Sequence, residues 1–122
     1  MNKNSKDFII QLTKLSNLLE DEMQNTVKYW EPEEPPITVL FGDIGREITK
    51  QFYNFECETK NKIFALIEQG INSDDDELGT AVATGTIEAM VGSAYNDKKL
   101  WEAIKSSFGE ASRDHAVAWS GE

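Results

Sequence analysis

The chain has 122 residues, of which 39% are hydrophobic and 10% aromatic, and its 22 acidic residues against 12 basic ones give a formal net charge of -10. This length and composition predict one domain with a hydrophobic core and exclude a disordered chain. Nucleic acid is disfavoured as a partner, because an acidic surface repels phosphates. A basic protein is the partner that such a surface attracts, although the acidity is also explained by solubility alone.

The sequence carries no sign of export or of membrane insertion. Cys57 is the only cysteine, so no disulfide forms within the chain. The N-terminal sequence MNKNSKDFII lacks the apolar run of a signal peptide, and no stretch reaches the roughly 18 uninterrupted apolar residues of a membrane helix. We therefore expect a cytoplasmic protein that does not enter a membrane.

A helix and a proline-rich connector are predicted at the start of the chain. Apolar residues recur at spacings of three and four from Phe8 to Met23, which predicts a first helix over about residues 5–27. All prolines of the chain lie in the segment EPEEPP that follows. Since proline lacks an amide donor and restrains the residue before it, residues 29–36 are predicted to be a short, stiff connector.

A helical core is predicted over residues 37–118. Its first apolar stripe, from Ile37 to Phe55, continues at helical spacing through Gly42 and Gly45. A phosphate-binding loop would require a preceding strand and a different glycine spacing. We therefore place both glycines inside a helix, where the missing side chains let another helix pack closely.

The segment INSDDDELGTAVATGTIEAMVGSAY is predicted to begin the central helix. The helix before it is expected to end at Gly70 as a left-handed C-cap. Ser73 is predicted to be the N-cap of the central helix, so that Asp74–Glu77 occupy its first turn, where the helix dipole stabilises negative charge. With two further helices, the prediction is an all-α protein, a compact bundle of five or six helices with short connections.

Catalytic and metal-binding motifs are absent from the sequence. The acidic run does not fit a calcium loop, because Glu77 and Ala83 stand where that loop needs a glycine and a bidentate glutamate. His115 has no second histidine or cysteine at ligand spacing for zinc. We predict no enzymatic activity, no metal and no cofactor; the alternative is a hydrolase that uses scattered carboxylates such as Asp43 and Glu47.

Two acidic clusters are the predicted partner-binding residues. The first, here called the acidic turn, consists of Asp74, Asp75, Asp76 and Glu77. The second, the connector patch, consists of Trp30, Glu31, Glu33 and Glu34. An aromatic side chain ringed by charge is typical of a protein-binding hot spot. In the alternative interpretation, Trp30 only covers one end of the bundle.

A family resemblance lies in three segments, PPITVLFGDIGREI, IFALIEQGINSDDDELGTAVATGTIEAMV and SFGEASRDHAVAW. Together they resemble a family of small, acidic, uncharacterised bacterial proteins similar to toxin-immunity proteins. Asp43 and Arg46 match the Gly-Asp-x-x-Arg element of that family. A closing Gly-x-x-Ser-Arg element with a tryptophan behind it is matched by Gly109, Ser112, Arg113 and Trp119. The resemblance implies binding to a partner protein, and it carries over no catalytic residue.

Charge and resemblance lead to one functional hypothesis and one alternative. The hypothesis is an immunity-type protein that binds and neutralises a basic toxin domain, such as a nuclease, through the acidic turn and the connector patch. The alternative is a helical structural or adaptor protein, in the form of a homodimer, with no toxin partner. The sequence leaves open whether the two acidic clusters share one face.

Overall fold

All regular structure in the protein is helical. A computed structural model describes all 122 residues. Its helices are α1 (Lys3–Thr13), α2 (Asn17–Trp30), α3 (Ile37–Lys50), α4 (Cys57–Ile71), α5 (Asp76–Thr80), α6 (Glu88–Ala94), α7 (Lys98–Ser107) and α8 (Glu110–Ser120). A π-helical stretch, Ala81–Ile87, joins α5 to α6 and is called the π segment. Because α5, the π segment and α6 form one continuous helix, there are seven helices in place of the predicted five or six. The predicted all-α class is confirmed.

The predicted first helix over residues 5–27 is in fact two helices. Ser16 has an extended backbone (φ -154°, ψ 136°) and its hydroxyl accepts a hydrogen bond from the Leu18 amide at 3.2 Å, so it is the N-cap of α2. A serine hydroxyl in this role stabilises a helix start. The break lets α1 pack against α4 and α5 while α2 packs against α3. Leu12 and Leu19, on either side of it, are both fully buried.

The connector and the end of the helical core also differ from the prediction. α2 continues to Trp30, so the connector covers residues 31–36 and not 29–36. α8 continues to Ser120, past the predicted end of the core at residue 118. Beyond α8, the Glu122 carboxylate accepts a hydrogen bond from the Trp101 indole at 2.8 Å, which holds the end of the chain against α7.

The glycines of α3 lie where this helix crosses the π segment. A β-carbon at Gly45 would lie 2.5 Å from the carbonyl oxygen of Thr86, and one at Gly85 would lie 2.9 Å from the β-carbon of Phe41. The buried Thr86 hydroxyl donates to the Phe41 carbonyl at 3.1 Å across the same contact. Gly42 is buried in this helix as well. The prediction that Gly42 and Gly45 lie inside a closely packed helix is confirmed.

Gly70 lies inside α4 and is not the predicted left-handed C-cap. The only residue with positive φ in the chain is Gly121. A β-carbon at Gly70 would lie 2.7 Å from a methyl group of Val82 and 2.9 Å from the ring of Phe8. Glycine at this position therefore permits a close approach of α1 and the π segment to α4.

The core is a single cluster of 25 buried apolar residues drawn from all seven helices and the turn at residues 52–55. The π segment contributes three of its members, Ala81, Val82 and Ile87. This segment contacts α3, α4 and α8. No helix combines the length and the apolar character that crossing a bilayer requires.

Gly92, on the exposed side of α6, has no atom within 4 Å of the position that a β-carbon would take. We expect Gly92→Ala to raise the free energy of unfolding by about 0.5–1 kcal/mol, because alanine loses less backbone entropy than glycine in a helix. Urea denaturation of the two proteins measures the change. A destabilised variant would show that a neighbouring group occupies this space.

Candidate functional site

The acidic turn begins α5, but its cap is Asp75 and not the predicted Ser73. The Asp75 carboxylate accepts a hydrogen bond from the Leu78 amide at 2.9 Å. The Ser73 hydroxyl instead accepts from the Asp75 amide at 3.1 Å. The helix starts at Asp76, so its first turn contains two acidic residues, Asp76 and Glu77, where four were predicted.

Asp75 and Glu77 bind the start of α1. The Glu77 carboxylate accepts from the Asn2 amide and from the Ser5 hydroxyl, each at 2.8 Å. The Asp75 carboxylate accepts from the side-chain amides of Asn2 and Asn4 at 3.1 and 2.9 Å. The Leu78 amide first, and then these two side chains, lower the pKa of Asp75. Both carboxylates are therefore anionic at neutral pH, and both also have an architectural role.

Asp74 and Asp76 are the members of the acidic turn that remain free for a partner. Both side chains are exposed, and neither forms a hydrogen bond or an ion pair within the protein. Along the acidic turn, the exposed carboxylates of Asp74 and Asp76 thus alternate with the internally hydrogen-bonded carboxylates of Asp75 and Glu77.

The structure brings the connector patch next to the acidic turn. Glu31, Glu33 and Glu34 are exposed in the connector. The amino nitrogen of Met1 lies 3.6 Å from a Glu34 carboxylate oxygen, and the next residue, Asn2, binds Glu77. Glu34 of the connector patch and Glu77 of the acidic turn therefore lie on either side of residues 1–2. We call the combined surface the acidic face; its carboxylates are Glu31, Glu33, Glu34, Asp74, Asp75, Asp76 and Glu77.

Trp30, the aromatic member of the connector patch, is half-buried, while its neighbour Tyr29 is 83% exposed. The two rings meet edge to face, with centroids 6.1 Å apart. Both line a cleft of about 210 Å³ between α2 and α3, whose other lining residues are Glu22, Asn25, Thr26 and Asp43. We call this the aromatic cleft.

Asp43 forms the α3 side of the aromatic cleft. Its carboxylate accepts from the Arg46 guanidinium at 2.6 Å and from the Thr26 hydroxyl at 2.7 Å. The pairing with Arg46 is the one that their spacing predicts, whereas the bond to Thr26 is a tertiary contact between α2 and α3. Sequence reasoning treats Asp43 as a helix-surface residue and misses the cleft.

Glu22 forms the α2 side of the aromatic cleft and was not singled out by sequence reasoning. Partial burial, followed by repulsion from Glu47 and Asp43, raises the pKa of Glu22 above its ordinary value of 4.5, against the opposing effects of Asn25 and Lys50. Glu22 lies one turn before Thr26 on the same face of α2, and this spacing was the only sign in the sequence that the two residues belong to one site. Which face of α2 packs on α3 could not be identified without the fold.

Ser112 and Arg113, two of the residues that match the closing Gly-x-x-Ser-Arg element, make contacts between helices. The buried Ser112 donates its amide at 3.0 Å and its hydroxyl at 2.7 Å to the Glu68 carboxylate, which also accepts from the Ala111 amide at 3.0 Å. The Arg113 side chain donates to the carbonyls of Lys105 and Phe108. These bonds fix the start of α8 against α4 and α7.

His115 pairs with one carboxylate and with no other candidate ligand. Its Nε2 lies 2.9 Å from a Glu88 carboxylate oxygen, which links α8 to α6. No group of three or more His, Cys, Asp or Glu side chains is arranged to hold a metal ion. Trp119 is exposed on α8, and Cys57 is exposed at the start of α4.

No protein-family model, curated protein or solved structure matches the chain. The class is therefore defined by the fold and the site: an all-α protein with an acidic face beside an aromatic cleft. The similarity to toxin-immunity proteins stays a prediction from the sequence.

Proposed function

We propose that the protein is a cytoplasmic, immunity-type binding protein that neutralises a basic toxin domain by covering it with the acidic face. The observation that carries the proposal is the junction of the two acidic clusters. Glu34 of the connector patch approaches the amino group of Met1, and Asp75 and Glu77 of the acidic turn both bind Asn2, so the two clusters adjoin through consecutive residues of the chain. A concentrated field of one sign steers an oppositely charged partner and speeds its association.

The internal bonds of Asp75 and Glu77 give the acidic face a fixed shape. Because both carboxylates are bonded to the start of α1, they anchor the segment that carries the exposed Asp74, just before the N-cap of α5, and Asp76, the first residue of α5. A rigid surface loses less entropy when a partner binds. Tyr29, which is exposed beside the connector patch, adds the kind of aromatic side chain that supplies much of the affinity at protein interfaces.

A nuclease is the toxin class whose chemistry the acidic face fits best. A protein that cleaves nucleic acid concentrates Lys and Arg where phosphates bind. A rigid row of carboxylates competes for that same surface, so binding also blocks access of the substrate. This argument requires no catalytic residue in the immunity partner.

The proposal is tested first by capture from the native lysate at low and high salt. We expect a basic protein domain to be retained at low ionic strength and released at high ionic strength, because salt screens charges at an interface. If the protein recovers only itself and sediments as a dimer, the homodimeric structural alternative is correct and the proposal fails.

Charge reversal then tests the acidic face with the captured domain. We expect Asp74→Lys combined with Asp76→Lys to slow association about tenfold at low salt and to flatten its salt dependence. Glu56→Lys combined with Asp114→Lys is the matched control, since these two exposed carboxylates lie at the start of α4 and on α8. Equal association rates for the two double variants, measured by stopped flow, would contradict the placement.

A further inference from the structure

We propose that the aromatic cleft binds an arginine side chain of a basic protein partner. The choice of a basic protein rests on the proposed function; the choice of arginine rests on the cleft itself. The cleft adjoins the connector patch, because Trp30 lines the cleft and directly precedes Glu31 in the chain. An arginine held there would anchor a partner whose remaining basic residues face the acidic face.

The size of the cleft suits a guanidinium group with the methylene that carries it. At about 30 Å³ for each water molecule in the liquid, the volume of about 210 Å³ corresponds to roughly seven waters. The cleft is open to solvent, so a side chain can enter from outside without any movement of α2 or α3. The exposed Asn25, which lines the cleft, adds a further polar side chain beside such a cation.

The aromatic pair offers ring surface for a cation. Tyr29 and Trp30 lie edge to face at an interplanar angle of 75°, so their faces point in different directions. The half-buried indole is held by the fold, and an indole face is the best of the aromatic cation-binding surfaces. Guanidinium groups in particular stack on aromatic rings while their edges remain free to donate hydrogen bonds.

The carboxylates of the cleft supply acceptors for those edges. Glu22 lines the cleft, and its negative charge is stabilised within the protein by Asn25 and Lys50. Asp43 accepts from Arg46 and Thr26, but an ionised carboxylate offers about four lone-pair positions, so acceptor capacity remains. A bidentate bond from arginine to Glu22 matches the geometry of both groups, which a lysine ammonium does not.

The charged groups around the cleft carry one more negative than positive charge, which one added cation would balance. Three carboxylates, on Glu22, Asp43 and Glu47, are near two internal cations, on Arg46 and Lys50. Burial together with the two neighbouring carboxylates raises the pKa of Glu22. An added guanidinium would offset that repulsion, whereas the absence of a three-carboxylate metal arrangement argues against a metal ion as the occupant.

The inference is tested with Nα-acetyl-arginine amide and its neutral isostere, Nα-acetyl-citrulline amide, in NMR titrations of the full chain. We expect millimolar binding of the arginine probe, with shifts of the Trp30 indole and Asn25 side-chain signals, and no saturable shift with the citrulline probe. Equal shifts with both probes, or no shift with either, would overturn the inference.

Matched variants locate the binding. Glu22→Gln should weaken the arginine probe about fivefold, whereas Asp21→Asn, which removes an exposed carboxylate from the same helix, should leave it unchanged. Tyr29→Ala should weaken it by a similar factor, with Tyr53→Ala as the control at another exposed tyrosine. Unchanged binding in both Glu22→Gln and Tyr29→Ala, with their folds intact by NMR, would refute the placement.

The outcomes separate this inference from the proposed function. If the arginine probe does not bind but a basic domain is captured in a salt-sensitive manner, the arginine site is refuted and the proposed binding function stands. If the arginine probe binds specifically but no basic partner is captured, the arginine site is supported and the proposed immunity function is refuted.

Discussion

Gly45→Ala is expected to lower the free energy of unfolding by about 3 kcal/mol, because the added methyl group meets backbone atoms of a second helix. The added β-carbon would lie 2.5 Å from the Thr86 carbonyl oxygen and 3.1 Å from the Thr86 α-carbon. Both atoms belong to the backbone of the π segment, which cannot rotate away as a side chain can. The two central helices must move apart, and the core contacts around Phe41 and Ile44 weaken with them.

Gly42→Ala is the matched control on the same helix. Its β-carbon would be 3.3 Å from the Arg46 guanidinium nitrogen that donates to Asp43, at the end of a half-exposed side chain that can shift by a few tenths of an ångström, and 3.6 Å from the Gly85 carbonyl oxygen, an ordinary contact. The gain in helix propensity, about 1 kcal/mol, offsets the crowding, so we expect a change of less than about 1 kcal/mol. Thermal and urea denaturation measure both variants. Similar stability of the two alanine variants would show that the contact between α3 and the π segment is not rigid.

Glu68→Ala is expected to lower the free energy of unfolding by about 2–3 kcal/mol. One carboxylate accepts the Ala111 and Ser112 amides at the start of α8 and also the Ser112 hydroxyl. The first amides of a helix have no partner within it, and Ser112 is fully buried, so their loss of an acceptor is costly. Glu58→Ala, which removes an exposed carboxylate of the same helix, is the control and should change stability by less than about 0.5 kcal/mol.

The contribution of Glu68 should depend on pH in a defined direction. Partial burial acts to raise the pKa of Glu68, but hydrogen bonds from Ser112, Ala111 and Asn72 outweigh it and hold the pKa below its ordinary value of 4.5. The stabilisation is therefore complete above pH 4.5 and is lost as the pH falls through the lower pKa of the folded state. Glu68→Gln should lose this part of the pH dependence in urea denaturation at pH 3 to 7. An identical slope in both proteins would contradict the assignment.

Local patterns were sufficient for some of the features that depend on neighbouring residues. The spacing of apolar residues from Ile37 onward placed Gly42 and Gly45 inside a helix, because a 3.6-residue period is a property of the chain itself. Asp43 and Arg46 are three residues apart and pair as that spacing predicts. The break at Ser16 was missed because the apolar stripe has helical spacing on both sides of it, so the serine was taken as a residue within the helix and not as an N-cap.

The aromatic cleft shows what local patterns omit. Glu22 and Asp43 are far apart in sequence and meet only because α2 packs on α3, with the Thr26 hydroxyl joined to Asp43. Nothing in the spacing of either helix identifies which face meets the other. The candidate arginine site was therefore beyond prediction. Glu22, Asn25, Thr26 and Asp43 lie in segments that were predicted to be helical, but Tyr29 and Trp30 were assigned to the connector and lie in α2 instead.

The sequence by itself determined the all-α class, the glycine-containing helix and the presence of two acidic clusters, since these follow from composition, periodicity and short-range spacing. Only the tertiary structure decided that Glu34 and Glu77 lie beside the start of the chain, that Asp75 and Glu77 hold α1, and that Gly70 lies inside a helix. Each of these depends on partners more than thirty residues away or on a second helix that crosses at close range. Local spacing carries no information about such contacts, because the position of one helix on another is set by the packing of the whole core.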